Sequence, residues 1–462
     1  MPKLYFYTHS PISIGTGEKL SPYSDFILDE NYVYFLNQAR LKEAFQQSPA
    51  MDSLIDEYVA GVATGMDNNR SSFDLKNFLH NRLKIDFKAY SLRRVAKGVS
   101  VKGKIHIAEI IKNPHFQPYV PGSSLKGAFK GALLYKWLTE NQEGKHWIDE
   151  ICKKLNATKE EKRTIEQKLN EQYESYEIAL SDSISLPVEA VKIYKIIRFH
   201  LKDTQQQGTP QYVEALMPNI KFEAEYRSEK ISLQDALKAL QKYSQDANAR
   251  DIELLEQSEK TNEKLLKFYQ DIAEKLNNGE YLFKIGSGKG YFFQAVGLSI
   301  YRQKGVDVFK KFIEVYRPSD KKINAEKFPL TKVIDADSQL PWGWVQVSEQ
   351  IITKEEAVLE KWQKPIATQA EEVKEVEKVK KVVAQYLKAG TKLKQGLEID
   401  AVVVKSGKPN QVKLMLSEGN EPVFTLRGYN SELSEGTILV CRIAQINKKG
   451  EILDVSFHKI KN

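Results

Sequence analysis

The sequence predicts an α+β fold with a small β-barrel near its carboxyl-terminal end. Residues 1–350 mix strand-like segments with helix-like ones, whereas residues 393–462 contain five short strand-like segments separated by turns. A chain of 462 residues is too long for one hydrophobic core. We therefore expect four regions: domains at 1–225 and 226–350, a helical connector at 351–392 and the barrel at 393–462.

The amino-terminal segment predicts a strand, Lys3–His9, that leads into a glycine-bearing loop, Ser10–Gly17. Helical patterns follow at 38–47 and 51–63, and residues 97–111 resemble one long strand. Further along, 141–176 is charged and helical, as expected of a surface insertion. Strands are predicted at 178–186 and 212–226, and a helical block at 233–276.

A basic stripe lies between Arg82 and Lys104, where eight basic residues accompany a single acid, Asp86, and the aromatic residues Phe87 and Tyr90. The eight are Arg82, Lys84, Lys88, Arg93, Arg94, Lys97, Lys102 and Lys104. Basic residues interleaved with aromatic ones are typical of surfaces that follow a nucleic-acid backbone. Arg93, Arg94 and Lys97 are the candidate RNA contacts of this stripe.

The segment Val120–Tyr135 predicts a turn followed by a helix whose first N–H groups could hold a phosphate. Proline and glycine end the preceding extended run, and either of two serines could cap the helix. The candidate contacts are Gly122, Ser123, Ser124, Lys126 and Lys130. The alternative is an ordinary capped helix with solvated lysines.

The loop Ile285–Gly290 has neither P-loop nor dinucleotide-binding spacing, but its glycines permit positive φ and so a backbone nest for a phosphate. The candidate contacts here are Lys284, Gly286, Ser287, Gly288, Lys289 and Gly290, with Tyr291 and Phe292 as stacking faces. A second loop of this type supplies Gly15, Gly17 and Lys19. A simple glycine bulge between strands is the alternative.

No catalytic, metal or cofactor constellation is predicted. The seven histidines lack metal-ligand spacing, and Cys152 and Cys441 stand far apart without a CxxC partner. His9 could act as a general base, contact a phosphate or simply pack, and Asp182 is interpreted as a structural or polar contact. With a net charge of +8 and no signal-like or membrane-spanning apolar run, we expect a soluble cytoplasmic protein for which a nucleic-acid partner is permitted.

Four phrases taken together resemble a known family. They are Thr8–Tyr23, Tyr119–Ala128, Lys284–Tyr291 and Leu340–Trp344. This combination is similar to the RAMP superfamily of CRISPR proteins and, within it, to the fifth subunits of type III-A Csm effector complexes. The glycine loop followed by Glu18-Lys-Leu-Ser-Pro is the most specific phrase. The resemblance covers residues 1–350, while residues 351–462 have no recognised counterpart.

The resemblance implies tandem RRM-like (ferredoxin-like) RAMP domains with helical insertions. It also implies a non-catalytic subunit that caps the 3′ end of the crRNA and the backbone filament and assists maturation of that end. Implied partners are crRNA, other Csm subunits, especially the repeated backbone subunit, and host nucleases in maturation, with target RNA as a further candidate and no membrane. Family members often carry histidine where this chain has Ser13, so a role for His9 is not carried over.

Two alternatives stay open at this point. One is a metal-independent endoribonuclease that processes the guide precursor, with His9 as base and Lys126 or Lys289 stabilising the phosphorane. The other is a structural cap held by protein contacts alone. For the carboxyl-terminal barrel, the OB fold is the commonest five-stranded candidate, and contact with RNA is left open.

Overall fold

In a computed structural model of the chain, three β-sheets organise the described residues. The structure describes residues 2–67, 72–101, 104–155, 159–201, 209–258, 262–316, 328–329, 331–354, 386–387, 391–417, 421–429, 433, 435–447 and 450–460. By their contacts the residues form two units, Met1–Gln363 and Lys364–Asn462. The predicted connector at 351–392 lies largely outside the described residues.

The first sheet has five strands, all antiparallel to their neighbours. In spatial order these are β11 (Tyr281–Lys284), β13 (Trp344–Ser348), β1 (Lys3–Thr8), β10 (Lys221–Ser228) and β7 (Ile178–Leu180). Alternation along β10 buries Phe222, Ala224 and Tyr226 on one face and leaves the charged residues between them on the other. The buried face is the one that packs against helices.

The second sheet of this unit has eight strands and mixes parallel with antiparallel pairs. Its order is β2 (Gly15–Leu20), β6 (Ile107–Ile110), β9 (Gln211–Leu216), β8 (Val191–His200), β5 (Ser91–Lys97), β4 (Tyr32–Leu36) and β3 (Phe26–Leu28), with β12 (Thr331–Asp335) also paired to β8. The chain passes directly from β1 in the first sheet to β2 in the second, so the intervening loop joins the two sheets.

Helices pack against the first sheet and occupy the segments that connect the strands. They are α1 (Gln38–Gln46), α2 (Met51–Asp67), α3 (Leu75–Asn77), α4 (Gly122–Glu140), α5 (Gln142–Lys153), α6 (Lys159–Ser175), α7 (Leu233–Glu256), α8 (Glu263–Asn277) and α9 (Ala295–Tyr316). Helix α9 is interrupted at Gly305, whose φ is 77°. Among the described residues, no helix has both the length and the apolar character needed to cross a membrane.

The main core lies between the first sheet and helix α4. Phe129 of α4 is fully buried and meets Phe283 of β11 edge to face, with ring centroids 5.9 Å apart. The helix spacing of its apolar residues places them on the face that contacts α7 and α9 as well. Because α4 is held on three sides, the turn at its amino terminus is fixed in position.

The second unit contains one five-stranded sheet. In spatial order its strands are β16 (Val423–Thr425), β15 (Gln411–Leu414), β14 (Glu398–Lys405), β17 (Ile438–Ile446) and β18 (Ile452–Ile460). A parallel bridge between Arg427 and Ser456 connects the end of β16 to β18, so the two outer strands meet. The five strands predicted from the sequence are therefore all present.

Mixed α and β structure is confirmed, but several predicted elements differ. The long strand expected at 97–111 is wrong, because β5 ends at Lys97 and β6 begins at Ile107. The strand expected at 212–226 is two strands, divided by a turn at Asn219 with φ of 65°. The segment expected to be a surface insertion contributes Ile148 and Ile151 of α5 to the core.

Candidate nucleic-acid interface

Two of the predicted glycine loops lie at the same end of the first sheet. Strand β13 is antiparallel to both β1 and β11, so β1 and β11 run in the same direction. In the register, Thr8 is opposite Val345 and Lys284 is opposite Trp344, which brings the carboxyl ends of β1 and β11 to one level. The loops that follow these two strands consequently emerge side by side.

Backbone hydrogen bonds connect these loops. The N–H of Ser287 donates to the carbonyl of Ser13 at 2.9 Å. Gly286 has φ of 72°, and a Cβ atom there would overlap that same carbonyl oxygen. Glycine is thus required at 286 both by the backbone conformation and by the close approach of the neighbouring loop.

A third segment, Leu340–Trp344, completes the connection. The N–H of Gly343 donates to the carbonyl of Pro11 and its carbonyl accepts from the N–H of Ile285, both at 2.9 Å. The N–H of Trp344 donates to Oγ of Ser10, also at 2.9 Å. The residues 10–17, 285–290 and 340–344 therefore form one surface, which we call the composite glycine surface.

The exposed part of the composite glycine surface comes from both loops. Gly15, Gly17, Ser287 and Gly290 are exposed, and so is Lys19 just beyond them; residues 15–20 form the edge strand β2 rather than the predicted loop. Lys289 is half-buried, and burial lowers the pKa of its ammonium group. Exposed glycines let a ligand approach the backbone closely, and the lysines supply positive charge.

Lys284, predicted as a contact, is instead buried beneath this surface. Its Nζ lies 3.1 Å from the Tyr269 hydroxyl and 3.7 Å from Oδ2 of Asp251, which also pairs with Lys332 of β12. Burial lowers the pKa of Lys284 to about 8, while Asp251 acts in the opposite direction. The cluster joins β11, α7 and β12, so Lys284 positions the loop rather than reaching a ligand.

Phe292 and Tyr291, the two aromatic side chains predicted to stack on bases, lie in different environments. Phe292 is only 2% exposed and packs between Phe309 and Tyr301, so its predicted role in stacking on a base is wrong in this structure. Tyr291 is partly buried and meets Phe328 edge to face at 4.8 Å. The apolar sequence around these aromatics explains the outcome, because they begin the packed segment that leads into α9.

The turn before α4 lies elsewhere on the same sheet. Leu180 of β7 is opposite Tyr226, whose N–H donates to the carbonyl of Pro2, so this region is level with the beginning of β1. The N–H of Gly122 donates to Oδ1 of Asp182 at 2.7 Å, and a Cβ at Gly122 would overlap the Leu180 carbonyl. A carboxylate of the protein thus takes the donor that the sequence assigned to a phosphate.

Around this turn, Ser123 is exposed and Ser124 and Lys126 are partly exposed. Lys130, predicted to share their face, is buried and pairs with Glu174 at 2.7 Å. Its Nζ also lies 5.0 Å from the Tyr173 ring centroid. Lys130 is therefore not available on the surface as expected.

The basic stripe is divided by strand alternation. Arg93 is only 3% exposed and pairs with the buried Glu214 at 2.6 Å, so its predicted surface contact is wrong here. Arg94 points to the other face, with its guanidinium 4.3 Å from the Tyr32 ring centroid, and Lys97 is partly exposed. Elsewhere in the stripe, acidic partners pair with the basic side chains: Arg82 with Glu57 and Lys88 with Asp29.

His9 lies just after β1, with Nε2 3.1 Å from Oε1 of Gln346 and its ring 5.0 Å from the Tyr7 ring. Burial, with a further contribution from the charge on Lys354, lowers the pKa of His9 to about 4. The imidazole is neutral near pH 7 and is engaged with a protein side chain. It therefore packs as a partly buried polar residue against protein side chains.

A family model for the RAMP superfamily matches residues 5–293 of the chain. The chain belongs to the RAMP superfamily. The match includes β1, the loop after it, the turn before α4 and the loop after β11, so all three predicted phosphate-type segments are RAMP segments. The resemblance predicted from the four phrases is confirmed.

Two curated relatives of this RAMP chain are described as CRISPR system Cms protein Csm5. The protein from Methanocaldococcus jannaschii is 26% identical over 184 residues, which is 39% of this chain and 42% of the relative. The protein from Streptococcus thermophilus is 25% identical over 236 residues, which is 48% of this chain and 62% of the relative. The chain thus spans less than two thirds of the length of either relative.

Solved structures share the RAMP fold. A chain in the cryo-EM structure of a type III-A Csm–crRNA–target RNA ternary complex aligns with a TM-score of 0.55 at 18% identity, covering 75% of this chain and 100% of that one. The crystal structure of T. onnurineus Csm5 aligns with a TM-score of 0.52 at 16% identity, covering 74% of this chain and 99% of that one. About a quarter of this chain has no counterpart in either structure.

Proposed function

We propose that this chain is an RNA-binding subunit, without catalysis of its own, in a cytoplasmic type III-A CRISPR ribonucleoprotein. In this proposal it holds the 3′ end of the crRNA, caps the filament of repeated backbone subunits and protects the boundary to which host nucleases trim the guide. Membership of the RAMP superfamily and similarity to Csm5 proteins support the assignment.

The composite glycine surface is the observation that carries the proposal. Two glycine loops, joined through Ser287 and Ser13, present backbone and lysine side chains at one end of a sheet. Such a surface suits the phosphates and riboses of a single strand and discriminates little between bases. Exposed or partly exposed residues are the proposed contacts. They are Gly15, Gly17, Lys19, Arg94, Lys97, Ser123, Ser124, Lys126, Ser287, Lys289 and Gly290.

The strand order supports the ferredoxin-like part of the proposal. Along the chain, β1 is followed by α4, then β7 and β10, then α7 and finally β13. Their spatial order β13-β1-β10-β7 corresponds to a βαββαβ unit with order 4-1-3-2, and β11 extends it at one edge. For the second unit, the order β16-β15-β14-β17-β18 and the bridge from Arg427 to Ser456 support an OB-like barrel.

The geometry around His9 does not support the alternative in which the chain is an endoribonuclease. A general base must reach the hydroxyl that it deprotonates, and Nε2 of His9 is bonded to Gln346. The proposal therefore assigns no cleavage step to this residue.

The test is a titration of the full chain with single-stranded RNA at low and moderate salt, with chelator present and cleavage scored in the same samples. We expect salt-sensitive binding without cleavage. Lys289→Glu should weaken binding at least about tenfold, whereas Lys310→Glu should not, because Lys310 is an exposed lysine on α9, which contributes no proposed RNA contact.

Chelator-resistant cleavage that His9→Ala abolishes would instead establish the nuclease. If neither the chain alone nor a complex assembled with it bound RNA through Lys289, the proposed function would be wrong. Measuring both the isolated chain and the complex separates a site that neighbouring subunits complete from the absence of a site.

A further inference from the structure

Helix α2 belongs to a small helical insertion between β4 and β5 that has its own hydrophobic cluster. The helix packs inward through Leu54, Tyr58, Gly61 and Gly65, which follow i, i+4, i+7 and i+11 spacing. A Cβ atom at Gly61 would overlap the Phe73 ring, and one at Gly65 would overlap the ring of Tyr23. This seam is therefore closely packed.

A second apolar seam lies one residue further along the same helix. Ile55, Val59, Val62 and Met66 repeat the same spacing and so form a stripe about 100° around the helix from the packed one. Ile55, Val59 and Met66 are 36%, 56% and 58% exposed. Single exposed apolar residues are ordinary, but an aligned stripe over three helical turns marks an interaction surface.

The charge of the helix limits what can bind there. Helix α2 carries Asp52, Asp56, Glu57 and Asp67 and no basic residue. By helical geometry Asp52, Asp56 and Asp67 lie along the side of the stripe away from the packed seam. A row of carboxylates repels RNA, and it would also repel a second copy of the same helix.

We propose that the Ile55–Met66 stripe is a docking surface for another protein subunit of the same ribonucleoprotein. That subunit would offer an apolar groove bordered by lysine or arginine. Helix α2 would lie in this groove with its exposed apolar stripe facing the partner, as amphipathic helices commonly do. The proposal rests on the proposed function only in naming the assembly from which the partner comes. The docking surface is separate from the residues proposed to contact RNA.

The experiment measures binding of the full chain to the purified remaining protein subunits of its own complex. We expect Val59→Asp to weaken this binding at least about tenfold by placing a charge in the groove. Thr64→Asp is the matched control, because Thr64 is exposed on the opposite side of the same helix and has a helix propensity similar to that of valine. The control should bind as the wild type does.

Charge reversal identifies the kind of partner. Asp52→Lys with Asp56→Lys should weaken docking to a basic-rimmed groove, whereas tighter binding would overturn the proposal. A change from dimer to monomer on Val59→Asp in the chain alone, seen by analytical ultracentrifugation, would also overturn it in favour of self-association. Equal binding by Val59→Asp, Thr64→Asp and the wild type would also overturn the proposal. The same holds if the wild type does not bind the remaining subunits at all.

RNA affinity of the same variants is measured in parallel. We expect Val59→Asp to leave it unchanged, since α2 contributes no proposed RNA contact. If Val59→Asp loses docking while neither the wild-type chain nor its complex binds RNA, the RNA-binding function is refuted and the docking surface stands. If Val59→Asp docks as the wild type does while RNA is bound, the docking surface is refuted and the RNA-binding function stands.

Discussion

The carboxylate of Asp182 accepts a hydrogen bond from the N–H of Gly122 at 2.7 Å, at the amino terminus of α4. The protein thereby supplies its own anion where the helix dipole favours one. Ser123, Ser124 and Lys126 remain at least partly exposed beside this contact. The turn is consequently both a structural cap and a place where the nearby negative charge would weaken attraction for the proposed RNA.

Asp182→Ala separates these two effects. We expect the free energy of unfolding to fall by about 1 kcal/mol, because a capping acceptor is lost. RNA affinity at low salt should rise about threefold, since a carboxylate near Lys126 is removed. Chemical denaturation and RNA titration measure the two quantities. Asp182→Asn, which keeps an acceptor oxygen without charge, should retain most of the stability, and lower RNA affinity in either variant would contradict the argument.

Gly286→Ala and Gly290→Ala form a matched pair within one loop. Both residues have positive φ, 72° and 85°, and either alanine should cost about 1–3 kcal/mol in backbone strain. Only at 286 would the added methyl overlap the Ser13 carbonyl, since nothing lies within 4 Å of a Cβ at 290. We expect Gly286→Ala to be the less stable variant and to lose RNA affinity by displacing the N-terminal loop. Equal thermal stability and equal RNA affinity of the two variants would show that the contact has no such role.

Arg93→Ala should destabilise the fold by about 3 kcal/mol, because it leaves Glu214 buried with one of its two basic partners removed. Arg94→Ala should have little effect on unfolding but should weaken RNA binding. Urea denaturation compares the stabilities, and the RNA titration compares the affinities. A larger loss of stability for Arg94→Ala than for Arg93→Ala would reverse the assignment of inner and outer faces in β5.

The pH dependence of the free energy of unfolding should reveal the lowered pKa of His9. Its pKa is lowered to about 4 in the folded chain, against an ordinary value near 6.5 in the unfolded chain. Between these values the unfolded state binds more protons, so stability falls as the pH falls from about 6.5 to 4, by at most about 1.4 kcal/mol per pH unit. Denaturation across this range should give a shallower slope for His9→Gln. Parallel slopes for the variant and the wild type would mean that His9 titrates normally in the folded chain.

The loop after β11 was predictable because glycine permits the positive φ found at 286, 288 and 290, whereas residues 15–17, also predicted as a loop, belong to strand β2. The joining of the two segments at one end of the sheet was not predictable, because it depends on β13 lying between β1 and β11. Likewise, consecutive Arg93 and Arg94 must point to opposite faces of a strand, but only the position of Glu214 decides which arginine is inside. The role of Gly343 could be predicted only as part of a family phrase, since its contact with Pro11 joins distant parts of the chain.

That contact between Pro11 and Gly343 also has a consequence for biosynthesis. The first loop of the chain can reach its final partner only after almost the whole first unit has been translated. Contacts of such high sequence separation form late and slowly. A nascent or truncated chain therefore lacks a complete composite glycine surface, so the RNA binding proposed for this surface would require a finished first unit.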